Sequence, residues 1–392
     1  MAVTLIVNPG SSSKKFALYK EEVLAIKSHV ERSDDGFEMC VTVGGVQQKC
    51  EPILTHKFSE SLSRFIEDVK KRKIIGSVSE VTKVAIRVVA PGTFFQTHRE
   101  VNDEYIKKLK TQQSFAPLHI PHVLSEIETI KKILPQAYVV SVSDSAFHAT
   151  IPNYIRQYSI KKEDSEKHDI YRFGYHGLSV ASAVQRIHAL TGVDPKRAVV
   201  CHIGSGVSIT AIKDYKSFDT TMGYTPGNGL LMSSRAGDLD AGALLALMKI
   251  KNFKPVDAET YIQNQGGLRG LTGESDLRFI LEKRAQRSKD AETAISAFVH
   301  HIQKVIGGYM AVLGGLDTLV FTATAGERSS ILRSLITKEL NSLGIELDED
   351  KNELCISRDG VISKTGSSVK VVVIKTDETA EIFRISKTLS RE

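Results

Sequence analysis

Apolar residues at the start of the chain fall into two short runs, Val3 to Val7 and Phe16 to Tyr19, split by an Asn8-Pro9-Gly10 corner and three serines. Short β-branched runs around a Gly, Pro and Ser cluster predict a hairpin. The design returns at 198–214, "AVVCHIGSGVSITAIKD", which predicts a second hairpin, and at 316–336, where a strand turns into a helix. The first two look like equivalent positions in a duplicated unit. Strand and helix signals alternate throughout, so an α/β fold is expected. Over 291–312, Ile295, Phe298, Val299, Ile302, Val305, Ile306 and Met310 share one helical face, the mark of a core helix. Phe58, Leu62, Phe65, Ile66 and Val69 repeat that spacing, and the basic run "VKKRK" at 69–73 reads as the solvated end of the same helix.

A length of 392 residues exceeds one hydrophobic core, which argues for two domains or one duplicated unit. Hydrophobic residues at 41% and charged ones at 25% exclude a disordered or fibrous chain. The net charge of +6 is spread thinly and marks no nucleic-acid partner. No uncharged apolar stretch approaches ~20 residues, and a strand pattern begins at Val3 with no leader pattern, so a cytoplasmic protein without a membrane partner is expected. Cys40, Cys50, Cys201 and Cys355 form no CxxC pair. That spacing favours reduced thiols over a disulfide framework or a zinc site. His300 and His301 are sequence neighbours on a helix, point to different faces and read as structural histidines rather than a metal clamp.

Gly/Ser turns between strands bring backbone N–H groups and hydroxyls close to a ligand, and such turns can hold phosphate. Neither a GxxxxGK[ST] nor a GxGxxG motif is present. Arg87 lies within the apolar strand "AIRVV", and Arg235 within the turn "MSSRAGDLD". A guanidinium in such a place needs either a buried carboxylate partner or a carboxylate or phosphate ligand. His119 in "FAPLHIPH" and His176 in "YRFGYHGLS" stand beside Pro or Gly in apolar surroundings, and Asp144 ends a strand run, placed to bind a metal ion or to cap the next segment.

The ordered motifs "NPGSSSKKF", "RVV", "APLH", "SDSAFHATIP", "YRFGYHGLS", "CHIGSGVS", "SFDTTMGYTPGNGLLMSSRAGDLD", "GESDLR", "GGLDTLVFTATAGE" and "VVVIKTDE" resemble the acetate and propionate kinase family, part of the sugar kinase, Hsp70 and actin fold group. The resemblance spans essentially the whole chain, and its block at 217–240 separates it from butyrate-type kinases. It implies two duplicated actin-like (ribonuclease H-like) domains with a cleft between them: 1–148 completed by 380–392, and a nucleotide-binding domain over 149–379. It implies reversible transfer of the ATP γ-phosphoryl to acetate or propionate, with Mg²⁺ or Mn²⁺, in a homodimer. By position it assigns Asp144, Arg87, His176, Arg235 and His119 to catalysis, and Asn8, Glu378 and Asp144 to the metal. Val89, Leu118, Tyr175 and Pro226, with Arg87, would receive the acyl substrate. Lys15, Ser11, Ser12, His202, Gly204, Ser205, Gly206, Asp276, Leu277, Arg278, Thr324, Ala325, Gly326, Glu327 and Arg328 would receive the nucleotide.

The chain departs from the family pattern at several places. Ala90 and Val180 stand where histidines are usual, Ser205 replaces an asparagine, Tyr175 a phenylalanine, and Pro9 is unusual. At the nucleotide end Thr324 replaces a glycine and Arg328 an asparagine. A β-branched residue resists conformations glycine accepts, which raises GTP or pyrophosphate as alternative donors and a non-catalytic nucleotide sensor as an alternative function.

Overall fold

The computed structural model describes residues 2–10, 13–33, 36–116 and 120–390. The chain divides into two units: Met1–Ala146 with Asp377–Glu392, and Phe147–Thr376. The helix Glu378–Lys387 therefore belongs wholly to the first unit, so the return to that unit comes at Asp377 rather than at 380.

The first unit is built on β1 (Val3–Pro9), β2 (Ser13–Lys20), β3 (Val23–Ser33), β4 (Gly36–Val43), β5 (Val46–Gln47), β6 (Glu51–Ile53), β7 (Val81–Val88), β8 (Arg99–Glu100) and β9 (Tyr138–Ser143). They form one sheet in the order β5-β4-β3-β2-β1-β7-β9-β8, with β6 paired to β4. β1, β7 and β9 run parallel, and β1 and β2 form the antiparallel hairpin. At its corner Gly10 N donates to Ser13 O, and a Cβ on Gly10 would stand 2.7 Å from that oxygen, so only glycine fits. Alternation along β1 sends Leu5 and Val7 into the main core with Phe16, Leu18, Phe65 and Ile127, while Ile6 is buried on the other face. The helix Glu378–Lys387 packs on β1, β7 and β9.

The same alternation separates two adjacent lysines. Lys15 lies opposite Asn8, whereas Lys14 points to the core face, where it pairs with buried Glu126, donates to Phe58 O at 2.9 Å and caps the Phe58 ring. Burial raises the Glu126 carboxyl above its usual range and Lys14 opposes that shift.

The second unit carries β10 (Arg197–Ile203), β11 (Val207–Lys213), β12 (Lys216–Thr220), β13 (Thr318–Thr322), β14 (Gly360–Val361) and β15 (Lys370–Val373), in the order β12-β11-β10-β13-β15-β14. Its β12-β11-β10-β13-β15 run matches β3-β2-β1-β7-β9: two antiparallel pairings followed by two parallel ones. The helix Lys289–Leu313 packs on β10 and β11 through Ile295, Phe298, Ile302 and Ile306, whereas Val299, Val305 and Met310 are half-buried. His300 and His301 are exposed on that helix, so they are surface groups and not structural ones. Ala90 and Val180, at the two missing histidines, are buried in the cores of their units.

One expectation fails outright. Cys40 and Cys50 are joined by a disulfide bond of 2.02 Å, while Cys201 and Cys355 are free and buried. Their ten-residue separation says nothing by itself; the pairing of β4 with β6, Met39 opposite Glu51, brings them face to face. Among the described residues, no helix is long and apolar enough to cross a membrane.

Candidate functional site

Parallel strands of an open α/β sheet deliver side chains at their carboxyl ends. In the first unit, β1 delivers Asn8, β7 delivers Arg87, and the residue after β9 is Asp144. Arg87 makes a fork with Asp144, Nε to Oδ1 at 3.1 Å and Nη2 to Oδ2 at 3.0 Å. Its Nη1 donates to Asn8 Oδ1 at 3.2 Å and lies 3.8 Å from Glu378 Oε2, to which Asn8 Nδ2 donates at 2.8 Å. Burial works against the charge on Arg87, yet the carboxylates of Asp144 and Glu378 more than offset it and raise the guanidinium above its usual range. Four predicted residues thus form one cluster. Its donors for a cation, Asp144, Glu378 and Asn8 Oδ1, are all oxygen, which fits a hard ion such as Mg²⁺. Val89 is buried beside this strand end, and Lys15 is half-buried on β2. Ser11, Ser12, Leu118 and His119 lie outside the described residues.

In the second unit the equivalent strand ends are His202, Thr322 and, shortly after β15, Thr376. His202 Nδ1 lies 2.8 Å from Ser179 Oγ, and Thr376 Oγ1 lies 2.8 Å from Thr322 Oγ1 and accepts from Ala323 N at 3.1 Å. The His176 ring stacks on His202 with centroids 3.9 Å apart, and its Nδ1 is 3.0 Å from Ser208 Oγ. His176 takes a left-handed backbone, φ 60°, at the start of the helix Gly177–Thr191.

Arg235 converges on the same place. A Cβ on Gly206 would lie 3.1 Å from His176 Cε1 and 3.3 Å from Arg235 Nη1, so the absent side chain is what lets both groups reach one point. Arg235 donates to Pro226 O at 3.0 Å and approaches Met232 Sδ at 3.8 Å, and no carboxylate pairs with it among the described residues. Burial alone pushes its guanidinium down from the usual value. A half-buried cation without a counter-charge among the described residues, beside an imidazole and over a Gly-Ser-Gly turn, is suited to an anion. Ser233 N donates to Ser205 O and ties the two loops together. Tyr175 is buried, and its hydroxyl donates to Tyr224 O at 2.6 Å, so it presents a ring and not a free polar group.

At the predicted nucleotide end, Thr324 is exposed in the first turn of the helix Ala323–Arg328 and has no left-handed backbone. The strained residue is its neighbour Ala323, φ 65°. The conformational objection to Thr324 is therefore overturned. Ala325 is half-buried, Gly326 buried and Arg328 exposed. Glu327 turns inward, its Oε1 accepting from Thr376 N at 2.7 Å. Arg278 folds back on Asp276, whose side chain caps the helix that begins at Leu277.

Sequence reasoning missed Ser179, Ser208, Thr322 and Thr376, and above all Arg333. Wholly buried, Arg333 donates to Gly326 O, to Asn352 Oδ1 and O, and to Cys355 O, all between 2.7 and 2.9 Å. The signal that flagged Arg87, an arginine amid apolar neighbours, was present in "ILRSLI".

Paired carboxylates on one arginine in the first unit, and an arginine beside a histidine in the second, are the residue types that phosphoryl transfer uses. The family model of the Acetokinase family matches residues 3–384. An acetate kinase of Dictyoglomus thermophilum is 38% identical over 389 residues, 97% of each chain. The crystal structure of Porphyromonas gingivalis acetate kinase matches with a TM-score of 0.86 at 32% identity, over 99% of both chains. A propionate kinase from Francisella tularensis matches with a TM-score of 0.87 at 29% identity, over 97% of this chain and 98% of that one. The chain belongs to the acetokinase family: it is a phosphotransferase with a carboxyl acceptor, and ATP and ADP are its co-substrates.

Proposed function

We propose that the chain transfers the γ-phosphoryl of ATP reversibly to acetate, giving acetyl phosphate and ADP by direct in-line displacement. The observation that carries this is Arg235, a guanidinium held beside His176 with no carboxylate partner among the described residues. Negative charge spreads over the equatorial oxygens of the transferring phosphoryl, and fixed donors aimed there lower the barrier. Arg235 and His176 supply those donors, and His119 assists.

Arg87 holds the acceptor carboxylate, with Asp144 fixing its plane. Glu378, Asn8 and Asp144 would hold Mg²⁺, which neutralises phosphate charge when bound. Val89, Leu118, Tyr175 and Pro226 receive the acyl methyl. Lys15, Ser11, Ser12, the turn Gly204 to Gly206 and the segment Thr324 to Arg328 receive the nucleotide, with Asp276, Leu277 and Arg278 at its nucleoside end and His202 behind the phosphates. Retention of both arginines and His176 speaks for a kinase over a sensor, and the ordinary backbone at Thr324 speaks for ATP over GTP or pyrophosphate.

The enzyme is proposed to be a cytoplasmic homodimer. The helix Ala241–Lys251 buries none of its residues although it carries Leu245 and Ile250, and Leu239 and Val256 flank it, a surface suited to a second copy.

Hydroxamate formation from acetate, propionate and butyrate, each with ATP, GTP and pyrophosphate, tests the reading. Acetate with ATP should lead, and Arg235→Ala should lower kcat by about 10²–10³. No turnover in any combination would sink the proposal.

A further inference from the structure

The register of the first sheet lays one row of side chains across four strands. Asn8 lies opposite Lys15, Lys15 opposite His29, and His29 opposite Cys40. The pairing of Met39 with Glu51 carries the row on to Cys50, whose Cα is 4.2 Å from that of Cys40. Directly opposed residues point to the same face, so all five share the face of Asn8. The reverse face at this end, Val30, Met39 and Val41, is packed into the core. Two residues along β4, Glu38 returns to the outer face, within 4.0 Å of Cys40 Sγ.

The ligand atoms of Glu38, Cys40 and Cys50 lie within 4.8 Å of one another, and all three residues are half-buried. Gln47 Nε2 is 3.5 Å from Cys50 Sγ, and Glu31 approaches His29 Nε2 at 3.8 Å. Two sulfurs and a carboxylate oxygen, with an imidazole on the residue opposite Cys40 in register, make a donor set for a borderline-soft tetrahedral cation once that side chain turns toward the sulfurs. The oxygen cluster at Asn8, Asp144 and Glu378 is the opposite type.

We propose that the dithiol form of this cluster is a binding site for a thiophilic divalent cation, Zn²⁺ by its chemistry, with Cys40, Cys50 and Glu38 as ligands and His29 as the fourth. Disulfide formation closes the site. Opening it takes a two-electron reductant such as a small dithiol: the Cys40 to Cys50 bond becomes two thiols as the reductant becomes a disulfide, and both its protons pass to the protein sulfurs. The cation then displaces those two protons to solvent and binds both thiolates. Cys201 and Cys355, buried in the other unit, take no part.

The test uses the full chain with Mg²⁺ in excess, so that hard sites are filled, and Co²⁺ as the probe. Protein reduced with a phosphine should bind one equivalent and show thiolate-to-cobalt charge-transfer absorption with tetrahedral d–d bands, both erased by added Zn²⁺. The same protein reoxidised should show neither band, a control that needs no variant. Cys40→Ser should abolish the charge-transfer band, and Glu38→Gln or His29→Gln should weaken binding by about tenfold or more, since even outer partners of a metal site count for that much. Absence of the band in reduced protein, or its survival in Cys40→Ser, would overturn the assignment.

Discussion

Gly206→Ala places a methyl group where two functional groups meet. The new Cβ would stand 3.1 Å from His176 Cε1, 3.2 Å from His176 Nε2 and 3.3 Å from Arg235 Nη1. Ordinary contacts of this kind fall at about 3.5–4.0 Å, so His176 and Arg235 must each give way by a few tenths of an ångström. Gly206 has no left-handed backbone, so alanine brings no conformational strain and the fold should hold. Neither side chain can swing far, because His176 is stacked on His202 and contacts Ser208, while Arg235 is anchored to Pro226 O. A misplacement of about 1 Å costs up to 10²-fold in rate, so about 0.3 Å should cost about fourfold in kcat, or ~0.8 kcal/mol of barrier. Gly308→Ala, exposed on the helix Lys289–Leu313 where a Cβ would meet nothing within 4 Å, is the control. The assay is initial-rate hydroxamate formation at saturating substrates, with a thermal melt of each variant. If Gly206→Ala keeps wild-type kcat, or if its kcat falls only in step with Tm, the convergence of His176 and Arg235 on one reacting group is wrong.

Three further outcomes are expected. Lys14→Met leaves Glu126 buried without its partner and should cost about 3–5 kcal/mol in denaturant melts, whereas adding Glu126→Leu should recover most of that loss. Burial, with Arg384 adding to it, pulls the His98 imidazole from 6.5 down to about 4, and its Nδ1 accepts from Ser143 N. The unfolded chain takes up this proton first, so the stability is whole above about pH 6.5 and is lost as pH falls toward 4, by up to ~3 kcal/mol; His98→Asn should flatten that slope in pH-dependent melts. Ala323→Gly should stabilise the protein by about 0.5–1 kcal/mol by relieving a left-handed backbone, while Thr324→Gly should destabilise it slightly; equal shifts in Tm would refute the placement of strain at Ala323.

Much of this was legible in the sequence where local chemistry decides structure. The turns at Gly10 and Gly204 announced both hairpins, and period 3.6 announced the helix Lys289–Leu313. Arg87 inside an apolar strand announced its buried partner, found in Asp144. Features set by register stayed hidden. Which of two adjacent lysines faces the core depends on the pairing of β1 with β2, and the Cys40 to Cys50 bond depends on the three-residue strand β6, too short to carry a pattern. Strain was read one residue too late: a missing glycine at Thr324 drew notice, while the left-handed backbone belongs to Ala323. Arg333 was missed although its neighbours carried the same warning as those of Arg87, because it lies on a helix, where an arginine is expected to face water.

The two arginines differ in a way their sequence contexts do not show, and the difference bears on how charge is handled during transfer. Arg87 already meets two carboxylates, so in the proposed reaction an acceptor carboxylate would gain mainly geometry from it. Arg235 is bonded to a carbonyl and lies beside a thioether and the His176 ring, with no carboxylate partner among the described residues, and its burial makes that charge costly until an anion arrives. Of the two guanidinium groups, Arg235 is therefore the one that stands to gain more from an anion. A cation that pulled Asp144 or Glu378 away from Arg87 would raise the pull of Arg87 on the acceptor as well. Asp144 and Glu378 thereby set how much charge Arg87 presents, a coupling that lies wholly within the first unit.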